Sequence, residues 1–424
     1  MIDIKLIREN PEKFKKAAKD KHFDVNIDKL LEIDSKLKHA KQHLQNISTE
    51  KNKIGKSIPN LAGVEKQKAI EKLAELKNQE QHLNEDIKNY QPESDKLLLY
   101  VPQPPDDDVP LGKDDTENIE IRKEGQIRKF DFEPKDHIQI GQALGIIDIE
   151  RGVKLAGTRN FILKGAGALL HLSLLRFAMD FMVDKGYSPL VVPTLVKNEP
   201  MIGTGFFPGS EDQTYQVAED SLNLIGTAEV PLTAYHSDEI LAKDQLPLKY
   251  VALSSCFRRE AGAAGKDTYG LYRVHQFDKI EQVIICENDI KMSNKFHQEI
   301  LANAEAIVQA LELPYRVVVV CTGDLGRGQA RKFDIETWMP SRANYCETHS
   351  ASKYYDFQAR RLNLRYKDPQ TKKNVFCHTL NNTVIASPRI LIPILELYQN
   401  SDGSVTIPAV LRPYMNGKEK IVRS

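Results

Sequence analysis

The chain has no closely paired cysteines, no surplus of charge of either sign and no long apolar run. Its five cysteines, Cys256, Cys286, Cys321, Cys346 and Cys377, are scattered through 424 residues, which points to a reducing compartment and away from a disulfide framework. Cys346, His349, Cys377 and His378 do not form the Cys-x-x-Cys or His-x-x-x-His spacings of a structural zinc site. Lys plus Arg and Asp plus Glu each number 59, so bulk charge gives no reason to expect nucleic-acid binding, and any RNA contact has to come from local patches. No segment offers about eighteen uninterrupted apolar residues. The opening stretch, MIDIKLIRENPEKFKKAAKD, has neither an apolar signal region nor a transit-peptide composition. These absences lead to the expectation of a cytoplasmic protein without a membrane partner, long enough for about two or three domains.

What the chain does have begins with a seam. Leu30, Ile33, Leu37, Ala40, Leu44 and Ile47 step alternately by three and four, lapse at Lys51, and resume at Ile54 and Ile58. Ala69, Leu73, Leu76, Glu80, Leu83, Ile87, Tyr90 and Leu97 repeat the rhythm, and IPNLAGVE between the two runs supplies the helix breakers Pro59, Asn60 and Gly63. Two seamed helices on a short connection predict an antiparallel coiled-coil arm over residues 1–100. Pattern alone reads such an arm as a dimerisation coil or spacer, and Lys51, Lys53 and Lys56 near its turn suit a solvated face equally well. VPQPPDDDVPLGKDD, rich in proline and acid, ends it and opens a linker over 101–135. Residues 136–424 remain for the larger domain.

Within that domain, Val251 to Phe257 predicts a buried strand, Ala261 to Gly270 a turn, and Leu271 to Ile285 a returning strand. The hairpin would hold Arg258 and Arg273 on one side, where guanidinium forks grip phosphate or carboxylate oxygens, with Phe277 placed to stack on a base. Ala168 to Lys185 has helical periodicity through Leu169, Leu172, Leu175, Phe177 and Met179, and Gly186 stops it before the extended YSPLVVPTLV segment with Pro193. SPRILIPILELYQN sets Arg389 before an apolar helix running to about Tyr398, a position suited to polyphosphate.

FRREAGAAGKDTYGLYRVHQF, from Phe257 to Phe277, resembles motif 2 of the class II aminoacyl-tRNA synthetases. The helix and strand around Pro193 resemble motif 1, which implies a homodimer interface there, and the Arg389 segment resembles motif 3. LIGTAEVPLTAYH, HSASKYYDFQARRLNLRYK, LNNTVIASPR and GSVTIPAVLRPYMNG carry the likeness further, and over nearly its full length the chain resembles the bacterial type of seryl-tRNA synthetase family. That resemblance implies an α+β fold, with the two-helix arm joined to a class II catalytic domain built on an antiparallel β-sheet flanked by helices. It implies ATP-dependent activation of L-serine to seryl-adenylate and transfer of serine to the 3′ end of tRNA(Ser), gripped by the arm. The residues do not distinguish whether tRNA(Sec) is charged as well.

Carried over by position, the resemblance implies that Arg258 holds the α-phosphate and the serine carboxylate. Arg259 and Glu260 join the ATP site, Glu260 at the adenine amino group. Phe277 stacks on adenine beside Val274, and Arg273 and Arg389 clamp the phosphates. Glu281 faces the amino and hydroxyl end of serine, with Thr227, Ala228, Glu229 and Thr383 completing that pocket. Glu347 and Ser350 hold Mg²⁺ on the ATP phosphates, flanked by Thr348 and His349, and Mg²⁺ characteristically needs few protein ligands. Arg258, Arg389 and Glu347 would carry catalysis. The chain departs from the family pattern at His349, where a serine is usual, in the glycine-poor stretch holding Asn382, Ile385, Ser387 and Pro388, and at Lys266 and Tyr269, which are usually Arg.

Such chemistry needs no protein nucleophile: a carboxylate attacks the α-phosphorus and pyrophosphate leaves in line, so positioning and charge neutralisation suffice. Other readings are a threonyl or prolyl class II enzyme, a ligase that loads a carrier protein, and an inactive RNA-binding paralogue. The TAE triplet and the arm oppose the first, the full-length arm the second, and the complete ATP set the third.

Overall fold

The computed structural model describes residues 1–262 and 269–423. It divides into two compact units, Ile2–Pro104 and Pro105–Ser424, the second also taking in Met1.

The first unit opens with two short helices that the sequence reading passed over, α1 (Ile4–Glu9) and α2 (Pro11–Asp20). Asp3 and Asn10 cap them, each side chain accepting from a backbone N–H of its helix. The long helices α3 (Ile27–Ser57) and α4 (Gly63–Tyr100) follow, joined by one 3₁₀ turn at Ile58–Asn60. Lys41 donates to Gln91 at 2.8 Å and Lys51 to Glu80 at 2.7 Å, so rising numbers in α3 meet falling numbers in α4 and the pair is antiparallel. That second contact explains the lapse in the seam: Lys51 interrupts the apolar run of α3 where Glu80 interrupts that of α4. Leu30, Ile33, Leu37, Ala40 and Ile47 are buried in α3, whereas on α4 the apolar seam buries only Leu76 fully. The arm is therefore a thin two-helix layer with one strongly covered face.

The second unit is built on an eight-stranded sheet. Its strands are β1 (Ile119–Glu124), β2 (Ser188–Leu190), β3 (Leu248–Phe257), β4 (Gln276–Cys286), β5 (Tyr315–Val319), β6 (Arg331–Met339), β7 (Asn344–Tyr355) and β8 (His378–Ser387). They lie in the order β1-β5-β6-β7-β8-β4-β3-β2, antiparallel throughout except for the β2–β3 edge pair. Strand alternation decides what each side of β4 does. Ile280, Ile284 and Cys286 join the main core with Phe296, Ile300, Ala304 and Ile307 of a long helix, Ile290–Ala310, and Leu170, Leu174 and Met182 of another, Ala166–Asp184. On the opposite face Val283 and Ile285 pack with Ala228, Leu232, Ala359 and Leu362. Lys279 and Glu281 lie on that second face, at the edge of its apolar cluster.

Ala166–Asp184 is long and apolar enough to cross a membrane, with a mean hydropathy of 1.4, but here Leu170, Leu174, Leu175, Phe177 and Met182 are buried in the core just described. Two expected boundaries change. The strand returning after the turn begins at Gln276 instead of Leu271, because residues 271–275 follow a bent path in which Arg258 N donates to the His275 carbonyl at 2.9 Å. In YSPLVVPTLV only Ser188–Leu190 pairs with β3, and Val191 stands fully exposed beyond it.

Candidate active site

A bulge brings Glu347 and Ser350, the two expected cation ligands, to one side. Glu347 and Ser350 are three residues apart on β7, and odd spacing on a regular strand sends side chains to opposite faces. The register against β6 shifts here, from Ile335 opposite His349 to Glu336 opposite Glu347, which leaves Thr348 as an extra residue. Glu347 and Ser350 are consequently the partly exposed residues of the segment, while Thr348 and His349 are buried. Thr348 Oγ1 donates to the Ile335 carbonyl at 3.2 Å and lies 2.9 Å from His349 Nδ1, and burial holds the His349 imidazole neutral by lowering its pKa to about 3.

The donor set suits a hard cation. Glu347 supplies a carboxylate and Ser350 a hydroxyl, and the cross-strand partner of Ser350 is Asp334, a buried carboxylate whose Oδ1 has no hydrogen-bond partner. Burial pushes Asp334 up to about 8 in spite of Lys332 at 3.1 Å. Among the described residues no three His, Cys, Asp or Glu side chains gather into a metal site by themselves, so a cation here takes most of its ligands from water or substrate.

Cations surround this group. Arg389 precedes a helix of only seven residues, Leu391–Leu397, and is held from the side: Nε donates to the Tyr272 carbonyl at 3.2 Å and Nη1 to the Glu347 carbonyl at 3.1 Å. The Tyr272 ring lies under both Arg389, at 4.4 Å, and Arg342, at 4.0 Å. Arg273 donates to Glu260 at 2.5 Å, and Glu260 sits in the left-handed region at φ 53°. Arg258 and Arg273 thus flank the strand ends, not the paired strands that the sequence pattern predicts. The Arg258 guanidinium lies 5.2 Å from the Phe277 ring centre, Arg259 is exposed with its N–H donating to the Gln213 carbonyl, and Val274 is buried beside them. Tyr269 donates to Asp136, and Lys266 lies outside the described residues.

Within reach of the charge of Arg258 lies a group of buried polar side chains. Glu281 and Thr383 are cross-strand partners on β4 and β8, and Thr383 Oγ1 donates to Glu281 Oε2 at 3.3 Å. Thr227 Oγ1 accepts the Glu229 N–H at 3.1 Å, while Glu229 Oε1 accepts from Gln358 Nε2 at 2.8 Å. Ala228 between them is fully buried. Glu229 is pushed up to about 7, first by burial and then by the charge of Glu281.

Comparison with known proteins fits this geometry. Residues 1–105 match the family model of the seryl-tRNA synthetase N-terminal domain, and residues 213–398 match that of the tRNA synthetase class II core domain (G, H, P, S and T). The chain is 44% identical to a serine–tRNA ligase of Deinococcus radiodurans, over 99% of this chain and 98% of that one. A Fervidobacterium nodosum serine–tRNA ligase is 43% identical, over 98% of each chain. The chain belongs to the seryl-tRNA synthetase family. The crystal structure of seryl-tRNA synthetase from Pyrococcus horikoshii complexed with ATP superposes with a TM-score of 0.94 at 37% identity, covering all of both chains.

For a member of the seryl-tRNA synthetase family, the motif reading missed three groups in this site. Tyr272 carries two arginines, Gln358 orients Glu229, and Lys279 donates to Glu281 and, at 3.2 Å, to Thr383 Oγ1. Lys279 had a usable signal, since it stands two residues before Glu281 on a strand and so shares its face. Gln358 lies in the HSASKYYDFQARRLNLRYK segment, but no spacing ties it to Glu229, because it arrives from a separate helix.

Proposed function

We propose that the chain activates L-serine with ATP to seryl-adenylate and transfers the seryl group to tRNA(Ser). The observation that carries this reading is the group of buried polar side chains Glu281, Thr383, Thr227 and Glu229, with Glu281 within reach of the charge of Arg258. Its carboxylates and hydroxyls suit the ammonium and hydroxyl of a small amino acid, with the substrate carboxylate directed to Arg258.

In this assignment Arg258 aligns the serine carboxylate against the α-phosphorus and neutralises charge as the bond to pyrophosphate breaks. Phe277 stacks on the base beside Val274, and Arg259 and Glu260 border it. Arg273 leaves its contact with Glu260 to meet the phosphates, where Arg389 is already held. Glu347 and Ser350 would hold Mg²⁺, which supplies further neutralisation of the polyphosphate, with the Thr348 and His349 backbone behind them. That the Pyrococcus relative was solved with ATP supports the nucleotide assignment.

Three further assignments complete the proposal. Residues 1–100 form the tRNA-binding arm, 101–135 the linker and 136–424 the catalytic domain. Lys53 and Lys56 are exposed near the arm's turn and suit an RNA backbone, whereas Lys51 is engaged by Glu80. The enzyme works in the cytoplasm as a homodimer through the motif 1 region, where Leu172, Val183, Val191 and Leu195 all expose apolar surface.

The test is amino-acid-dependent exchange of pyrophosphate into ATP across the standard amino acids, followed by charging of tRNA(Ser). Serine should be the strong activator. Exchange driven chiefly by another amino acid would overturn the reading.

A further inference from the structure

The pocket contains a charge that the bound amino acid does not call for. Lys279 and Glu281 leave the same face of β4, and the Lys279 ammonium donates to Glu281 Oε2 and to Thr383 Oγ1, the latter at 3.2 Å. Thr383 Oγ1 closes the triangle by donating to Glu281 Oε2 at 3.3 Å. No member of this group is more than 7% exposed. An ammonium in such a place is costly unless paired, so Lys279 is poorly explained as packing.

Counting charge gives it a purpose. Glu229 and Glu281 are two buried carboxylates, Glu229 within reach of the charge of Glu281, and an amino acid brings a single ammonium, its carboxylate being matched by Arg258. Two unpartnered carboxylates would compete for that ammonium, and nothing would reserve Glu281 for the substrate hydroxyl. Lys279 removes the competition by occupying Glu281 from the strand side. Glu229 is held differently, by the neutral amide of Gln358, which also donates to the Thr204 carbonyl at 3.0 Å and accepts from Thr379 at 2.6 Å. One carboxylate thus has its cation in direct contact, whereas the other feels Lys279 only at longer range.

We propose that Lys279 is a positioning residue that commits Glu281 to the hydroxyl of the substrate and leaves Glu229 as the partner of its ammonium. This rests on the serine-activating function proposed above and adds a division of labour between the two carboxylates.

The experiment is a double-mutant cycle in the pyrophosphate exchange assay, with Lys279→Met, Glu281→Gln and the pair combined, each measured with serine and alanine. Truncating one partner of a buried ion pair is commonly worth about a hundredfold or more. Lys279→Met should therefore lower kcat/KM for serine by about that factor, mainly through KM, and shrink the preference for serine over alanine at least about tenfold. KM for ATP should stay within about twofold, since Lys279 does not face the nucleotide. Because Lys279 acts through Glu281, the Lys279→Met change should have little further effect in the Glu281→Gln background. Lys279→Arg, which keeps the charge, should recover part of the serine preference. If Lys279→Met alone fails to fold, the combined variant, free of the unpaired charge, carries the test by comparison with Glu281→Gln. A folded Lys279→Met enzyme with wild-type serine KM and serine-to-alanine ratio overturns the proposal, as do effects that simply add. Wild-type enzyme that shows no serine-dependent exchange removes the functional reading itself, whereas failure of the cycle in an active enzyme removes only the role of Lys279.

Discussion

Arg389 Nη1 donates to the backbone carbonyl of Glu347 at 3.1 Å and lies 3.7 Å from its carboxylate, so the proposed phosphate clamp and the proposed cation ligand share a contact. Burial works against ionisation of Glu347, but Arg389, Lys332 and Arg258 outweigh it and hold the carboxyl below its ordinary range. A depressed carboxyl stays ionised at neutral pH, and its contribution is lost only as pH falls through the lowered value. Arg389→Ala should remove a phosphate contact and this restraint together. We expect kcat/KM for ATP in the exchange assay to fall by about a hundredfold or more, with a higher Mg²⁺ concentration needed for half-maximal rate. Retention of wild-type ATP and Mg²⁺ dependence would remove Arg389 from the site.

Gly270 is confined on two counts. Its φ of 80° disfavours any side chain, and a Cβ would fall 2.2 Å from His137 Nε2. That imidazole accepts the Leu271 N–H at 3.2 Å, while its Nδ1 lies 2.7 Å from the buried Glu396. Gly270→Ala must displace either the ring or the chain entering the Tyr272–Arg273 segment. A loss of about 2 kcal/mol in urea unfolding is expected, with exchange activity falling as Tyr272 shifts beneath Arg389. Unaltered stability would show that this corner is loosely held.

The arm was legible because its signal is local. Steps of three and four along one helix require no knowledge of distant residues, and Pro59 and Asn60 mark the turn. The hairpin strands were legible for the same reason, although the bend at 271–275 was not, since the apolar pattern of Leu271, Tyr272 and Val274 imitates a strand. The bulge at Thr348 could not be foreseen either: it exists only in the register between β6 and β7, and without it Glu347 and Ser350 face apart. Gln358 entered the site from a helix far along the chain. Residue types and spacing thus named the candidate ligands, and the sheet register shows how they converge.

Removing Leu30 to Leu97 should separate two activities. Lys29 pairs with Glu93, so the roots of α3 and α4 are neighbours and a short linker can bridge them. The catalytic unit has its own core in Pro105–Ser424, and serine-dependent exchange should persist within about a few-fold. Charging of tRNA should fall steeply, and single changes at Lys53 or Lys56 should weaken it in a salt-sensitive manner. Equal charging by the shortened protein would reduce the arm to a spacer.

Thr383→Val keeps the shape of the pocket wall while removing the hydroxyl that donates to Glu281. A site built around a substrate hydroxyl rejects the deoxy analogue strongly, by up to about four orders of magnitude, because its own polar atoms lose their partner. The variant should therefore activate alanine relatively better than wild type does. Threonine, which keeps the hydroxyl, is opposed only by crowding at one methyl, worth about 1 to 3 kcal/mol, and should be the more readily misactivated of the two in wild type. Specificity constants for serine, threonine and alanine in both proteins decide this. Unchanged rejection of alanine by the variant would place hydroxyl recognition elsewhere.

Glu229 should give serine activation a pH dependence of its own. Its carboxyl is raised to about 7, with burial the larger cause and Glu281 the next. In the unfolded chain the group titrates near 4.5, so between the two values the folded enzyme carries a proton that the unfolded chain has released, and this group's contribution to stability declines as pH rises from about 4.5 to 7. Binding runs the other way. An ammonium partner must be ionised, so kcat/KM for serine should climb as pH rises through about 7 and then level off. Glu229→Gln cannot ionise, and its profile should be low and flat across that limb while KM for ATP is little changed. The same limb surviving in Glu229→Gln would assign it to another group and leave Glu229 as structural support for the pocket.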